Sequence, residues 1–280
     1  MTKKRKLKDA LIYGVMAASL LLVLVVLVYI LVYILIQSSG YLNFSFIVRS
    51  AQEGGIYPMI ITTLYVVILS LVIALPIGIM TAVFLNEYAG NSPLIRLLRL
   101  AIETLAGIPS ILYGLFGLLV FCRFFGFGQS IAAGGFTLSI MILPVIIRTT
   151  EESLKTIPNS FREGALSLGA TKFQTILHVV IPAALPGIAA STILAIGRVV
   201  GESAPVLLTV GIARNIPGSI FDSGRTLTIH LYYLTKEAIN PEDFGLAFAT
   251  AGILIILVLI INTATKIISD RFRKKMGDTK

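Results

Sequence analysis

Apolar residues run in long stretches along this chain and polar ones fall in short interruptions, so the runs set the architecture. A helix needs roughly 20 apolar residues to cross about 30 Å of hydrocarbon. Six stretches meet or approach that length: residues 11–36, 59–85, 105–125, 131–147, 187–210 and 244–261. They predict an all-α membrane protein with six transmembrane helices. The fourth run is the shortest and contains Gly134, Gly135 and Pro144, which makes it a candidate for a helix that is broken or needs neighbours to satisfy its backbone. Pro76 and Pro205 are expected to kink the second and fifth spans. Pro109 is expected to bend or start the third, and Gly107, Gly114 and Gly117 to let neighbouring helices approach closely rather than to touch a ligand.

The longest charged interruption reads SFREGALSLGATKFQTILHVVIPAALP, residues 160–186. Ser160 stands three residues before Glu163, the spacing of a capping box, and predicts a short helix starting near Phe161. Gly169 is placed to end it in the left-handed conformation. Thr171 is placed to cap a second helix from Lys172 to about Val180, before Pro182. The result is a compact elbow over about residues 158–182. On its first helix Phe161, Ala165 and Leu168 share a narrow apolar face beside Arg162 and Glu163. A helix this short is marginal alone in water, so it must dock on lipid headgroups, on the protein's own spans, or on another protein.

Composition agrees with the pattern. Of 280 residues 56% are hydrophobic and 13% charged, with a mean hydropathy of +0.92; soluble domains carry about 25% charged residues. Lys3, Lys4, Arg5, Lys6 and Lys8 resemble the start of a signal peptide, but the apolar run that follows is about twice the usual length and lacks an A-x-A site, so it reads as an uncleaved first span. With the N-terminus inside, 17 Lys and Arg fall on inner segments and five on outer ones, placing both termini in the cytoplasm. The formal net charge of +9 is then accounted for by anionic lipid, without nucleic acid. Cys122 is the single cysteine and forms no intrachain disulfide. No gap between spans, the 33 residues at 211–243 included, leaves room for a soluble domain. The expected organisation is a basic cytoplasmic N-terminus (1–10), a six-helix transmembrane domain (11–268) and a basic cytoplasmic tail (269–280).

Two arginines stand out because ionisable groups in a membrane span normally face a bundle interior or a cavity. Arg198 and Glu202 lie four apart on the fifth span, on one helical face; they form either a self-neutralising pair or a charged element of a permeation route. Arg148, at the inner end of the fourth span, is a second candidate, or else an ordinary positive-inside anchor; Glu151 and Glu152 follow within about one turn and are placed to neutralise it. Guanidinium suits an oxyanion because its fork holds two oxygens at once. No catalytic constellation accompanies these charges. The nearest approach to a phosphate-binding loop, Gly164-Ala165-Leu166-Ser167-Leu168-Gly169-Ala170-Thr171, has Ala170 where lysine is required. No zinc cluster and no G-x-S-x-G motif occurs; His178 and His230 have no metal spacing. The chain is therefore not expected to be an enzyme or to bind a cofactor or metal.

The elbow resembles the cytoplasmic signature E-A-A-x3-G-x9-I-x-L-P of the permease subunits of bacterial ABC importers. Glu163, Ala165, Gly169 and Pro182 match, whereas Gly164, Val179 and Ile181 depart from it. The runs Ala82-Val83-Phe84-Leu85-Asn86-Glu87-Tyr88-Ala89, Gly107-Ile108-Pro109-Ser110-Ile111-Leu112-Tyr113-Gly114-Leu115-Phe116-Gly117 and Gly197-Arg198-Val199-Val200-Gly201-Glu202-Ser203-Ala204-Pro205 are similar to phosphate-specific members of that family. The resemblance implies a type I ABC importer permease (MetI-like) fold with a cytoplasmic coupling helix, sited in the bacterial inner membrane. It further implies a transport role for arginines at 198 and 148, with Glu202 tuning the first, and contact with an ATPase through Phe161, Glu163, Gly164, Ala165, Leu168 and Gly169. Its implied partners are a second permease, two cytoplasmic P-loop ATPase subunits that bind the ATP, and a periplasmic phosphate-binding protein that meets the outer loops at 37–57 and 212–243. A permease for another oxyanion or small nutrient, and a secondary transporter or channel working without ATP, are the alternatives.

Overall fold

The computed structural model of the protein describes residues 3–90 and 92–275, and for residues 3–7 and 272–275 the helix only. The extreme ends of the basic terminal segments, 1–2 and 276–280, lie outside the described residues. Twelve α-helices occur among the described residues: α1 (Lys3–Ser39), α2 (Phe44–Val48), α3 (Tyr57–Val83), α4 (Pro93–Ala106), α5 (Ser110–Gly117), α6 (Ile131–Lys155), α7 (Asn159–Ser167), α8 (Lys172–Thr175), α9 (Ile181–Gly201), α10 (Ala204–Thr209), α11 (Leu227–Glu237) and α12 (Pro241–Lys275). Wider π turns extend α3 through Phe84–Tyr88 and α5 through Leu118–Phe124, and a third, Ile176–Val180, joins α8 to α9. Five helical stretches are long and apolar enough to cross a membrane, and a sixth crossing exists if α4 and the extended α5 count as one bent span.

The fourth run forms the unbroken α6, and it is the centre of the bundle. Leu138, Met141, Ile142 and Ile146 are fully buried between α3 and α9. Gly134 and Gly135 lie in its first two turns, where Val210 and Leu69 occupy the space a side chain would need. The neighbours that a short, glycine-containing span requires are therefore present on both flanks. By contrast, α1 has an apolar window with none of its residues buried. A helix stretch apolar all round and exposed has lipid as its solvent, whereas the end of α1 packs on α12 through Tyr33 and buries Ser38.

Two expected spans have different limits. The third begins at Ser110, not 105, because the chain turns by 100° between α4 and α5. Gly107 ends α4, Ile108 precedes a proline and is steered away from helical geometry, and Pro109 starts the new direction. At 1.5 Å per residue, Ser110–Phe124 covers only about 22 Å. The fifth run is continuous with the elbow, forming one helical stretch Lys172–Gly201, and it stops at Glu202 instead of reaching 210. Pro182 does not end the preceding helix, since the π turn just before it absorbs the missing N–H. Pro205 sits in the first turn of the separate α10, after the break, so it opens a helix and does not kink one. In the middle of α3, Pro76 is carried within a continuous helix.

Close approach of α5 to its neighbours depends on glycine. A methyl on Gly114 would come within 2.8 Å of the Pro205 Cα, and one on Gly117 would overlap Thr137 and Thr209. Gly107 instead caps α4, and no side chain of another element lies against it.

Candidate functional site

The break after α9 shapes the first charged site. Arg198 lies in the last turn of α9, where the negative end of the helix dipole favours a cation. Glu202 follows at an extended residue (φ −75°, ψ 134°). Arg198 Nε stands 3.9 Å from Glu202 Oε1, too long for a hydrogen bond, so the pairing is electrostatic and loose. Among the described residues the guanidinium makes no other ion pair or hydrogen bond, and its side chain is 29% exposed. Glu202 borders a cavity of about 10 Å³ with Thr63, Thr226 and Thr228, room for about one water. This is a fork with free donors, held near but not locked to a carboxylate.

Arg148 is not brought to that site. Contacts between Thr150 and Ser191 (3.4 Å) and from Ser153 to the Ala184 carbonyl (3.3 Å) fix α6 and α9 antiparallel. In that register Arg198 lies about five residues, roughly 7 Å, further along the bundle than Arg148. Arg148 lines a separate cleft of about 170 Å³ with Arg99, Glu103, Glu151, Glu152 and Lys155. Within it Glu152 accepts a 3.3 Å hydrogen bond from Arg148 Nε, both side chains being well exposed. Glu151, expected to share in neutralising Arg148, is instead held between Arg99 and Lys155, the latter at 2.8 Å. It faces α4 because Arg99, from that helix, also donates to the Leu85 carbonyl and so leans across the end of α3.

The elbow forms as two short helices, with its capping shifted. Gly169 has φ +86° and closes α7, as its position predicts. Ser160 is not a cap: α7 starts at Asn159 behind Pro158, and no side chain caps it. The capping box lies one helix later, where Thr171 accepts from the Gln174 N–H and the Gln174 side chain accepts from the Thr171 N–H. Phe161 (53% exposed) and Leu168 (91%) present apolar surface, with Glu163, Gly164 and Gly169 also exposed and Ala165 half-buried. Leu166 and Phe173 are exposed apolar side chains of the elbow as well. Neither lies on the narrow Phe161–Ala165–Leu168 face of α7, because Phe173 belongs to the neighbouring α8 and Leu166 falls off that stripe. Phe173 is 66% exposed and Leu168 91%, so both short helices of the elbow carry apolar surface that the described residues leave uncovered.

A further buried element joins the elbow to the bundle. Arg162 Nη2 donates to Glu87 Oε1 at 2.7 Å, with side chains only 17% and 7% exposed. The two residues are 75 positions apart, and the sequence carries no signal for their pairing.

Apolar spans around a glycine-packed core, a charged break and an exposed amphipathic elbow define a multi-pass membrane permease. The chain belongs to the family of binding-protein-dependent transport system inner membrane components, whose family model matches residues 74–276. It is 32% identical to the probable ABC transporter permease protein YqgI of Bacillus subtilis (strain 168), over 97% of this chain and 98% of that one. It is 41% identical to the phosphate transport system permease protein PstA of Mycobacterium leprae (strain TN), over 75% of this chain and 68% of the relative. Its fold matches a chain in the structure of a bacterial alginate ABC transporter in complex with alginate pentasaccharide-bound periplasmic protein, with a TM-score of 0.70, 17% identity and coverage of 97% and 98%.

Proposed function

We propose that this chain is the non-catalytic permease subunit of an ATP-driven importer that moves inorganic phosphate across the bacterial cytoplasmic membrane, with both termini inside. The observation that carries this reading is the pairing of two unfilled features on one stretch, Lys172–Gly201, with the short α7 before it: an exposed elbow patch at one end and a loosely paired arginine at the other. A motor docked on Phe161, Leu168 and Phe173 is coupled mechanically, through a continuous helix, to the guanidinium that meets the anion. The likeness to a relative named for phosphate transport supports the substrate.

The physics of the cargo supports the need for a motor. Each negative charge moved inward against an inside-negative potential costs about 2.3 kcal/mol per 100 mV, or roughly 5 kcal/mol for a dianion. A passive pore would leak phosphate outward. In this reading a second, similar permease completes the pathway, and two P-loop ATPase subunits grip the elbows and bind the ATP. A periplasmic phosphate-binding protein delivers substrate to the outer segments at 37–57 and 212–243.

Vesicles containing the full complex test the proposal. ATP-dependent phosphate uptake is expected, together with loss of ATPase co-purification and of uptake in Leu168→Asp/Phe173→Asp. Uptake that persists with the elbow altered, or without ATP, overturns it, and competition by sulfate or molybdate at equal concentration reassigns the oxyanion.

A further inference from the structure

The elbow is tied covalently to two helices and non-covalently to a third. α7 follows α6 through residues 156–158 and leads into α8 and α9 through the turn at 168–171. A displacement of α7 therefore reaches α6 and α9 directly along the chain, whereas α3 is joined to it only at a distance, through α4, α5 and α6. We propose that the Arg162–Glu87 pair is the linkage that drives α3, and that it sets how much transport each ATP cycle yields. This inference rests on the importer reading above.

The geometry is specific. Arg162 Nε lies 3.2 and 3.3 Å from the two Glu87 oxygens, in addition to the 2.7 Å bond from Nη2. The same guanidinium donates to a carbonyl in the last turn of α6, Nη2 to Leu154 O at 3.2 Å, and to one in the connector that follows, Nη1 to Ile157 O at 2.8 Å. One side chain on α7 thus clamps the end of α6 and the end of α3 together. Glu87 is held from its own side by Asn86 Nδ2 at 2.8 Å and sits on the π turn that finishes α3. Apolar contacts around Leu85, Leu154 and Val180 also join these elements, but such contacts are non-directional and permit sliding. A nearby cation–π contact, Lys172 Nζ 4.7 Å from the Tyr88 ring centre, is single and weaker. A forked charge pair with little exposure resists sliding, and fixing one arrangement is the best-attested role of such pairs, whose net contribution to stability is small.

The test uses the complete transporter in vesicles with inorganic phosphate as probe. Phosphate uptake, ATP turnover and the amount of assembled complex are measured for wild type, Glu87→Gln and the reversal Glu87→Arg/Arg162→Glu. Glu87→Gln is expected to assemble and to hydrolyse ATP within twofold of wild type, while phosphate moved per ATP falls about tenfold, within the range of ordinary coupling energies. The reversal is expected to recover at least half of the wild-type yield, which a merely structural role for Glu87 would not produce. Wild-type yield in Glu87→Gln, or no recovery in an assembled reversal, overturns the proposal. If neither variant assembles, the pair serves assembly and the proposal also fails. The wild-type arm separates this from the importer reading: a wild-type complex that takes up phosphate without ATP, or not at all, sinks that reading first.

Discussion

The elbow end and the break end of the bundle both carry arginine–glutamate pairs, and they hold them in opposite ways. At the elbow end Arg162 meets Glu87 at 2.7 Å and spends its other donors on backbone carbonyls. Glu151, 10% exposed, is fixed between Arg99 and Lys155. At the break end Arg198 and Glu202 stay 3.9 Å apart, with donors to spare. Saturated charges fix the relative positions of helices; an unsaturated one is available to an anion. The difference predicts that substitutions at the elbow end change coupling or assembly, whereas those at the break change how the substrate is handled.

The largest expected effect tests the unsaturated end. Arg198→Gln removes a charge-assisted pair of donors worth about 1.5–3 kcal/mol to a bound anion, so phosphate uptake should fall about 10- to 150-fold with the complex still assembled. Arg198→Lys should recover only part of this, since a point charge does not reproduce the fork. Uptake within threefold of wild type in the glutamine variant would remove Arg198 from the route and make the pair a device for tolerating charge in lipid.

A third polar cluster, in which Arg225 makes no ion pair with a carboxylate among the described residues, sharpens the comparison through pH. Arg225, 95% buried, donates from Nε to the Ile212 carbonyl at 3.2 Å and stacks 4.5 Å over Tyr233. Burial, with Arg225 and Arg214 adding to it, pushes the nearby His230 down from 6.5 to about 4. A base with a depressed folded value stays neutral in the fold while the unfolded chain takes up a proton, so stability is present above about pH 6.5 and is lost as pH falls toward 4. At pH 5 the loss should be about 2 kcal/mol. Melting of the detergent-solubilised complex at pH 7.5 and 5 should show it, and His230→Gln should remove most of the difference. An equal pH shift in that variant would trace the effect to other groups.

How much of this was legible in the sequence depended on distance along the chain. Gly169 as the left-handed corner and Thr171 as a cap are local features, and both hold. Ser160–Glu163 had the right spacing for a capping box but followed Pro158, which delivers the chain into α7 without a side-chain cap. α4 escaped notice as a helix because Arg96, Arg99 and Glu103 interrupt its apolar residues, and it lies outside the long runs that defined the spans. Arg198 and Glu202 are neighbours four apart in the sequence, whereas their looseness depends on the helix ending at Gly201, where Glu202 turns extended before α10 begins at Ala204. Arg162–Glu87 and Arg99–Glu151 join residues 75 and 52 positions apart, and no single-sequence pattern encodes such pairs.

The smallest expected effect concerns Glu152, and it marks the boundary between the two kinds of pair. Arg148 and Glu152 form a 3.3 Å contact, but with side chains 60% and 63% exposed, one helical turn apart on α6. Water competes for both partners, and pairs of this spacing contribute about 0.3–0.5 kcal/mol. Glu152→Gln should therefore shift stability by no more than that. It should also leave Arg148 freer within the cleft it shares with Arg99 and Lys155. If Arg148 is an anchor at the membrane edge, uptake in this variant stays within about twofold of wild type. If Arg148 receives the anion on its way out, removing its competitor changes the dependence of uptake on internal phosphate, because the released guanidinium then retains product. Measuring uptake into vesicles preloaded with phosphate separates the two: a rise in inhibition by internal phosphate assigns Arg148 to the unsaturated class with Arg198, and an unchanged response leaves it among the anchors.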